Sequence, residues 1–329
     1  MGQLIKLQDY ISRYEQDIYR YPAQFVRLKK QQWTKLSNAY EAGELESIIS
    51  RQSEAGESSW LTEEKTGLIS RMKELFKKNA ANEDTVQPEN DINEIQENEL
   101  TVHIPFQPET IEELKQAFLN QLFRFQMKWG SSTIQERSLI DQSYYFDEKL
   151  RFFLQRFPDT FLLLYKPIFL LKNAPVEVDV ILLSPTEAWC ITFLEAEEDA
   201  VFIGDKERFW IKKHHKRSDK KVLSPLLSVN RTEKIVKQLF ALYDVQIPIK
   251  KAIISRNGYI DYPLVPYDIS LLDKRNFSDW FQRMRSLSSP LKHQQLKAAQ
   301  ALLDYCQTTS SLRVEWGVES DEQDDEPQK

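Results

Sequence analysis

The chain has 329 residues, 41% of them hydrophobic, enough to bury the core of one large or two modest domains, which excludes a peptide or mini-protein. Eight glycines and 29% charged residues exclude collagen-like and glycine-rich low-complexity compositions. The formal charge of −6 is unevenly spread: residues 79–100 hold seven acids and no lysine or arginine, and the stretch from Glu319 holds six acids and one lysine, together −12, so the rest is near +6. An acidic total therefore does not argue against nucleic-acid binding, because the folded part is mildly basic.

In chain order, Leu4, Leu7, Ile11, Tyr14 and Ile18 recur at spacings of three and four and predict a first helix, ended or kinked by Pro22. Phe25, Leu28, Trp33, Leu36 and Tyr40 predict a second, so residues 1–50 read as a helical hairpin, with coiled-coil self-association open to it. Residues 60–78 predict an amphipathic helix, with Leu68, Ile69, Met72, Leu75 and Phe76 on one face and Arg71, Lys73, Lys77 and Lys78 on the other. Such a helix suits a partner groove or a membrane surface, or docks on the core. Residues 79–100 lack apolar periodicity and read as an acidic disordered linker. No stretch has the apolar length of a membrane span or signal peptide, and Lys6 breaks the myristoylation pattern begun by Gly2, so a cytoplasmic location is expected.

An α/β domain is expected over 102–260. Helices through Leu114–Phe125 and from near Asp147 precede short β-branched or aromatic runs at 161–164, 168–171, 176–183, 189–194 and 201–203. A helix at 231–243 and a strand at 249–255 follow, the pattern of a mixed sheet flanked by helices. Residues 263–309 read as a C-terminal segment of loop and helix, and 310–329 as an acidic tail.

The chemistry-bearing stretch is Glu177-Val178-Asp179, then the turn Ser184-Pro185, then a second strand through Thr192 and Leu194 to Glu195. Over about 143–260 this resembles the nuclease-related domain (NERD), a branch of the PD-(D/E)XK nuclease superfamily. There a Glu-h-Asp strand, with h apolar, is followed after a Ser/Thr-Pro turn by a strand carrying Glu-x-Lys, and a helical glutamate, here Glu148, often lies upstream. The resemblance implies a PD-(D/E)XK-like mixed sheet and Mg²⁺-dependent phosphodiester hydrolysis, in which paired carboxylates hold the ion and lysine assists the water. Counted from Asp179 and the Ser184-Pro185 turn, the second carboxylate falls on Thr192 and the lysine on Leu194, so the motif is degenerate. A hairpin longer by three residues would instead offer Glu195 and Glu197 beside Asp179, at the expense of swapping every side chain on that strand to the other face.

Lys212, Lys213, Lys216, Arg217, Lys220 and Lys221 form a basic run after the strand 209–211, expected as a loop able to contact phosphates next to Phe209 and Trp210. His214 and His215, as sequence neighbours, are expected to point apart and share no metal. Cys190 and Cys306 have no nearby His–acid arrangement and read as small buried hydrophobes. Two cysteines make no disulfide framework, and four histidines give no zinc-ligand spacing.

The reading is a catalytically degenerate nuclease-related protein acting as a nucleic-acid-binding or protein-interaction module, with no cofactor. DNA or RNA would meet the basic run, and a protein partner or second copy the N-terminal helices. One alternative is a Mg²⁺-dependent DNA or RNA endonuclease using Asp179 and Glu195, with Glu177, Glu197 or Glu148. Another is a membrane-peripheral or partner scaffold using the 60–78 helix.

Overall fold

A computed structural model describes residues 1–45, 108–133, 136, 138–171, 174–263 and 266–309. The helix expected at 60–78, the acidic segment 79–100 and the tail 310–329 lie outside the described residues. The chain divides into two compact units, Met1–Ala23 with Gln126–Lys329, and Gln24–Phe125.

The larger unit is mixed α/β. Its main sheet runs β1 (Gln3–Leu7), β2 (Leu162–Tyr165), β5 (Val180–Leu183), β6 (Ala188–Phe193), β10 (Ile249–Ser255) and β12 (Ile269–Asp273). The pairs β2–β5 and β5–β6 are antiparallel, whereas β1–β2, β6–β10 and β10–β12 are parallel. The parallel β6–β10 step needs a crossover, supplied by α5 (Pro225–Leu242), whose Pro225 occupies the first helical turn where its missing N–H is no loss. One sheet face carries α4 (Glu148–Arg156), which follows the short α3 (Ser143–Phe146), and α6 (Phe277–Arg285) through the rings of Phe152, Phe153, Phe157, Phe193, Trp280 and Phe281. The other carries α5 and α7 (His293–Leu303), where the buried Gln295 side chain donates to the Thr160 and Leu183 carbonyls. Strands β2 and β5 are buried at every position because both faces are covered.

A second sheet has the order β11 (Tyr259–Asp261), β7 (Val201–Ile203), β8 (Phe209–His214) and β9 (Arg217–Leu223). A two-stranded ribbon, β3 (Ile168–Leu171) and β4 (Ala174–Glu177), continues the β2–β5 ladder in unbroken register around a bend. At that bend Lys166 has φ 50°, its N–H donates to the Asp179 carbonyl (2.7 Å), and Val178 N–H donates to the Pro167 carbonyl (3.1 Å). The run expected as one strand over 176–183 is thus two strands, and Asp179 sits at the corner between them.

The Gln24–Phe125 unit consists, among its described residues, of parts of α1 (Tyr21–Glu41) and α2 (Ile111–Gly130). Phe25 stacks on Phe125, Trp33 meets Phe118 at 5.3 Å, and the Tyr40 hydroxyl donates to the Glu109 carbonyl, so the helices run antiparallel.

The sequence expectation fails most clearly at the N-terminus. Residues 3–7 are not helix but a fully buried parallel strand beside β2, and 13–15 form only a 3₁₀ turn, so the expected 1–50 helical hairpin does not form. The apolar spacing of three and four is satisfied there by burial between sheet and helices, and tertiary pairing overrides the helical period. Pro22 opens α1 instead of ending a helix. The 263–309 segment likewise holds more than loop and helix, since β12 forms the edge of the main sheet.

Candidate functional site

Where β2, β5, β6 and β10 end near the start of α4, a cavity of about 260 Å³ opens, lined by Asp147, Glu148, Lys149, Tyr165, Lys166, Asp179, Val180, Phe193, Glu195 and Arg256. Asp147 caps α4, accepting from the Lys149 and Leu150 N–H groups (2.9 and 3.1 Å), while its other oxygen accepts from the Tyr165 hydroxyl (2.7 Å). Burial, reinforced by that bond, pushes the Tyr165 phenol far above its ordinary range, so it remains a neutral donor.

Asp179 Oδ2 accepts from Thr192 Oγ1 and from Ser228 Oγ, both at 2.7 Å. Thr192 is opposite because the β5–β6 ladder, which pairs Val180 with Ile191, extends by one step. Ser228 arrives from the first turn of α5. The register counted from the Ser184-Pro185 turn is therefore the one observed. The turn holds it: Ser184 Oγ accepts from Thr186 and Glu187 N–H and donates to the Glu187 carbonyl.

Glu195 reaches the same cavity but is held from the α4 side. Arg256, the first residue beyond β10, grips it with Nε on one oxygen and Nη2 on the other (3.0 Å), and Lys149 Nζ lies at 3.8 Å. Glu197 lies elsewhere, against Lys212 (2.6 Å) and Arg217 of the second sheet. The hydrogen bond from Lys212, with Arg217 adding to it, lowers the Glu197 carboxyl to about 2. Glu148 and Glu177 are exposed, the former at the cavity rim and the latter on β4.

This donor set does not suit the divalent ion that the family resemblance implies. A hard cation takes oxygen ligands, for Mg²⁺ usually one or two carboxylates with waters, and those carboxylates must be free to face it. One Asp179 oxygen is already taken by two hydroxyls, Glu195 is paired with Arg256, and Glu197 is paired with two cations. Among the described residues no group of three His, Cys, Asp or Glu side chains is arranged to hold a metal.

The basic run forms no loop. Lys212 and Lys213 lie on β8, Arg217, Lys220 and Lys221 on β9, and Lys216 in the tight turn between them. Lys213 faces Asp219 at 3.8 Å. Lys216, Lys220 and Lys221 have no carboxylate within ion-pair distance among the described residues and are exposed. The same turn brings the His214 and His215 rings to 4.4 Å, closer than sequence neighbours on a regular strand would stand. Cys190 is buried on β6, Cys306 lies just beyond α7, and burial raises both thiols, Cys306 to about 12.

Sequence reasoning missed Arg256, Lys149, Lys166, Tyr165 and Ser228. Arg256 had a usable signal, a charged residue directly after an apolar strand, at the strand end where α/β sheets collect their functional groups. Ser228 had none, because only the crossover brings it to Asp179.

No family model matches the chain, and no solved structure matches it. A stretch of 42 residues is 57% identical to a protein of Geobacillus stearothermophilus named RNA 2',3'-cyclic phosphodiesterase. That stretch is 13% of this chain and 13% of that protein. No described helix is long and apolar enough to cross a membrane.

Proposed function

We propose that this chain is a nuclease-related protein of PD-(D/E)XK-like architecture that has given up phosphodiester hydrolysis and binds nucleic acid through the β8–β9 hairpin. The element order α4-β2-β5-β6-α5-β10 supports the architecture: a helix, an antiparallel meander, a crossover helix and a closing parallel strand. The observation that carries the loss of chemistry is the engagement of Asp179 by Thr192 and Ser228 hydroxyls, with Thr192 where the family's second carboxylate belongs. Leu194 stands in the place of the lysine and has no proton to exchange. The short likeness to an RNA 2',3'-cyclic phosphodiesterase spans too little of either chain to bring that activity here.

The exposed, unpaired lysines of the hairpin supply the attraction. Their contact with phosphates releases counterions, so affinity falls steeply with salt. Lys212 and Arg217 contribute less, since Glu197 neutralises them. Self-association through helices at 3–18 is no longer a route, because that stretch is buried strand and turn.

The test combines fluorescence anisotropy on labelled DNA and RNA with a cleavage assay in Mg²⁺ and Mn²⁺. Expected is salt-sensitive binding, weakened about tenfold or more by Lys216→Glu/Lys220→Glu/Lys221→Glu at low salt, and no cleavage. Divalent-dependent cleavage abolished by Asp179→Ala would overturn the loss of chemistry, and binding indifferent to the triple variant would overturn the hairpin as the contact.

A further inference from the structure

Among the described residues the second sheet has one covered face and one bare face, and the bare one is the wrong kind to be merely solvated. Alternation places Ile260, Phe202 and Trp210 inward, all buried, with Trp210 stacked on Tyr262. Register then places on the outer face Tyr259 beside Val201, Ile203 beside Ile211, Phe209 beside Leu223, and Lys221 beside Ile211. An outward sheet face ordinarily carries polar residues. Here Phe209, Ile211 and Leu223 are 48%, 40% and 54% exposed, and they adjoin one another.

The rim of this apolar strip is cationic. Lys221 lies on the outer face and the exposed Arg208 guanidinium is 5.8 Å from the Phe209 ring, while Lys213, also on the outer face, is opposed by Asp219 and Arg275, 5.8 Å from the Tyr259 ring, is held by Asp273. Rings with a guanidinium alongside, on a flat surface between lysines, match a ligand whose apolar flat groups alternate with phosphates. A base offers a π-face to Phe209 or Tyr259, and its backbone offers charge to Lys221 and Arg208. A bilayer would have to cover the whole face, including the exposed carboxylates of Asp219 and Asp261, and a second copy would set lysines against lysines.

We infer that the outer face of the second sheet is a platform for single-stranded nucleic acid, which selects unpaired bases over a duplex. The inference rests on the nucleic-acid reading above and deepens it. A duplex hides its base faces in the stack and can use only the lysines, so the strip of Phe209, Ile211 and Leu223 adds affinity for single strands alone.

The experiment measures anisotropy of a labelled single-stranded oligonucleotide and its duplex against the full chain. Variants are Phe209→Ala, Leu223→Ala and, as an exposed apolar control on α5, Leu242→Ala. Because Phe209 and Leu223 are exposed, the variants are expected to fold, which circular dichroism checks. Expected is tighter binding of the single strand, weakened about tenfold by Phe209→Ala, with duplex binding and the Leu242→Ala variant unchanged. Equal affinity for both forms, or a Phe209→Ala variant that binds single strands normally, overturns the platform and leaves the lysine-based reading standing. No binding of either form sinks both. Binding to vesicles of anionic lipid that is lost in Phe209→Ala, with no preference for single strands, assigns the face to a membrane and overturns the proposal.

Discussion

The Thr192 hydroxyl donates to Asp179 Oδ2 at 2.7 Å across the β5–β6 ladder, and Ser228 donates to the same oxygen from α5. A carboxylate with two hydroxyl donors is satisfied without a metal ion. Under the family resemblance, position 192 would hold a second carboxylate, which repels Asp179 unless a cation lies between them. On that reading the hydroxyl satisfies Asp179 where a second carboxylate would call for an ion.

Restoring the carboxylate tests this account. Thr192→Glu exchanges a hydrogen bond to a charged group for like-charge repulsion, a loss of about 1.5–3 kcal/mol from the hydrogen bond alone. The variant should melt below the wild type in chelator and recover on addition of millimolar Mn²⁺, while the wild type does not respond. An equal response of both proteins to Mn²⁺ in differential scanning fluorimetry would mean that the pair of positions does not form an ion site.

The strands β2, β3, β6, β7 and β10, spread over three sheets, were legible because they are short apolar or β-branched runs bounded by turn residues. The Ser184-Pro185 turn also fixed the register that sets Thr192 against Asp179. What was hidden is non-local. Gln3–Leu7 carries a helix-like spacing and becomes a strand only because β2, more than 150 positions away, offers it an edge. Arg256 and Glu195 meet because β6 and β10 lie side by side. The basic run read as a loop because lysine and arginine disfavour strands, yet Trp210 and Val222, facing inward between the cations, anchor the ladder.

Arg256 and Glu195 should behave as one unit. Glu195 has only 12% of its side chain exposed, so Arg256→Ala strands a carboxylate in the cavity. The loss should approach the 3–5 kcal/mol typical of a broken buried pair, moderated to about 2–3 kcal/mol by Lys149 and by the open cavity. Arg256→Lys recovers little, since an ammonium cannot reproduce the two-pronged contact. In a double-mutant cycle read by urea unfolding, Arg256→Ala/Glu195→Ala should cost less than the sum of its parts. Strict additivity would show that the two side chains do not interact.

Glu197 sets a pH dependence. Its carboxyl is lowered from 4.5 to about 2, foremost by the Lys212 hydrogen bond. A lowered folded-state value means that its contribution is fully present above about 4.5 and is lost as pH falls toward 2. Urea midpoints taken from pH 5 downward should therefore fall more steeply for the wild type than for Glu197→Gln. The same variant frees the exposed Arg217 at neutral pH, whereas Lys212 shares the inward face with Phe202. Its single-strand affinity should rise at low salt, with a salt slope steeper by about 0.7 for one added phosphate contact. Parallel acid profiles, or an unchanged slope, would show that the carboxylate does not restrain these cations.

Lys6 ties the N-terminal strand to the end of the described chain. It is fully buried, and its Nζ donates to the Tyr10 carbonyl (2.8 Å), to Glu15 and to Thr308 Oγ1 (2.7 Å). Nearby, Gln307 N–H donates to the Ile168 carbonyl and Thr309 N–H to the Asp9 carbonyl, so residues 307–309 are stitched to β3 and to the segment that follows β1. Lys6→Met keeps the length of the side chain but leaves Glu15 without its cation, at a cost of about 3 kcal/mol. Lys6→Met/Glu15→Gln removes both charges and should recover more than half of that loss, because a buried ion pair adds little net stability over an uncharged replacement. Hydrogen exchange should quicken at Gln307 and Thr309 in the single variant and slow again in the double. A single variant as stable as the wild type would mean that Lys6 fills space without anchoring the strand.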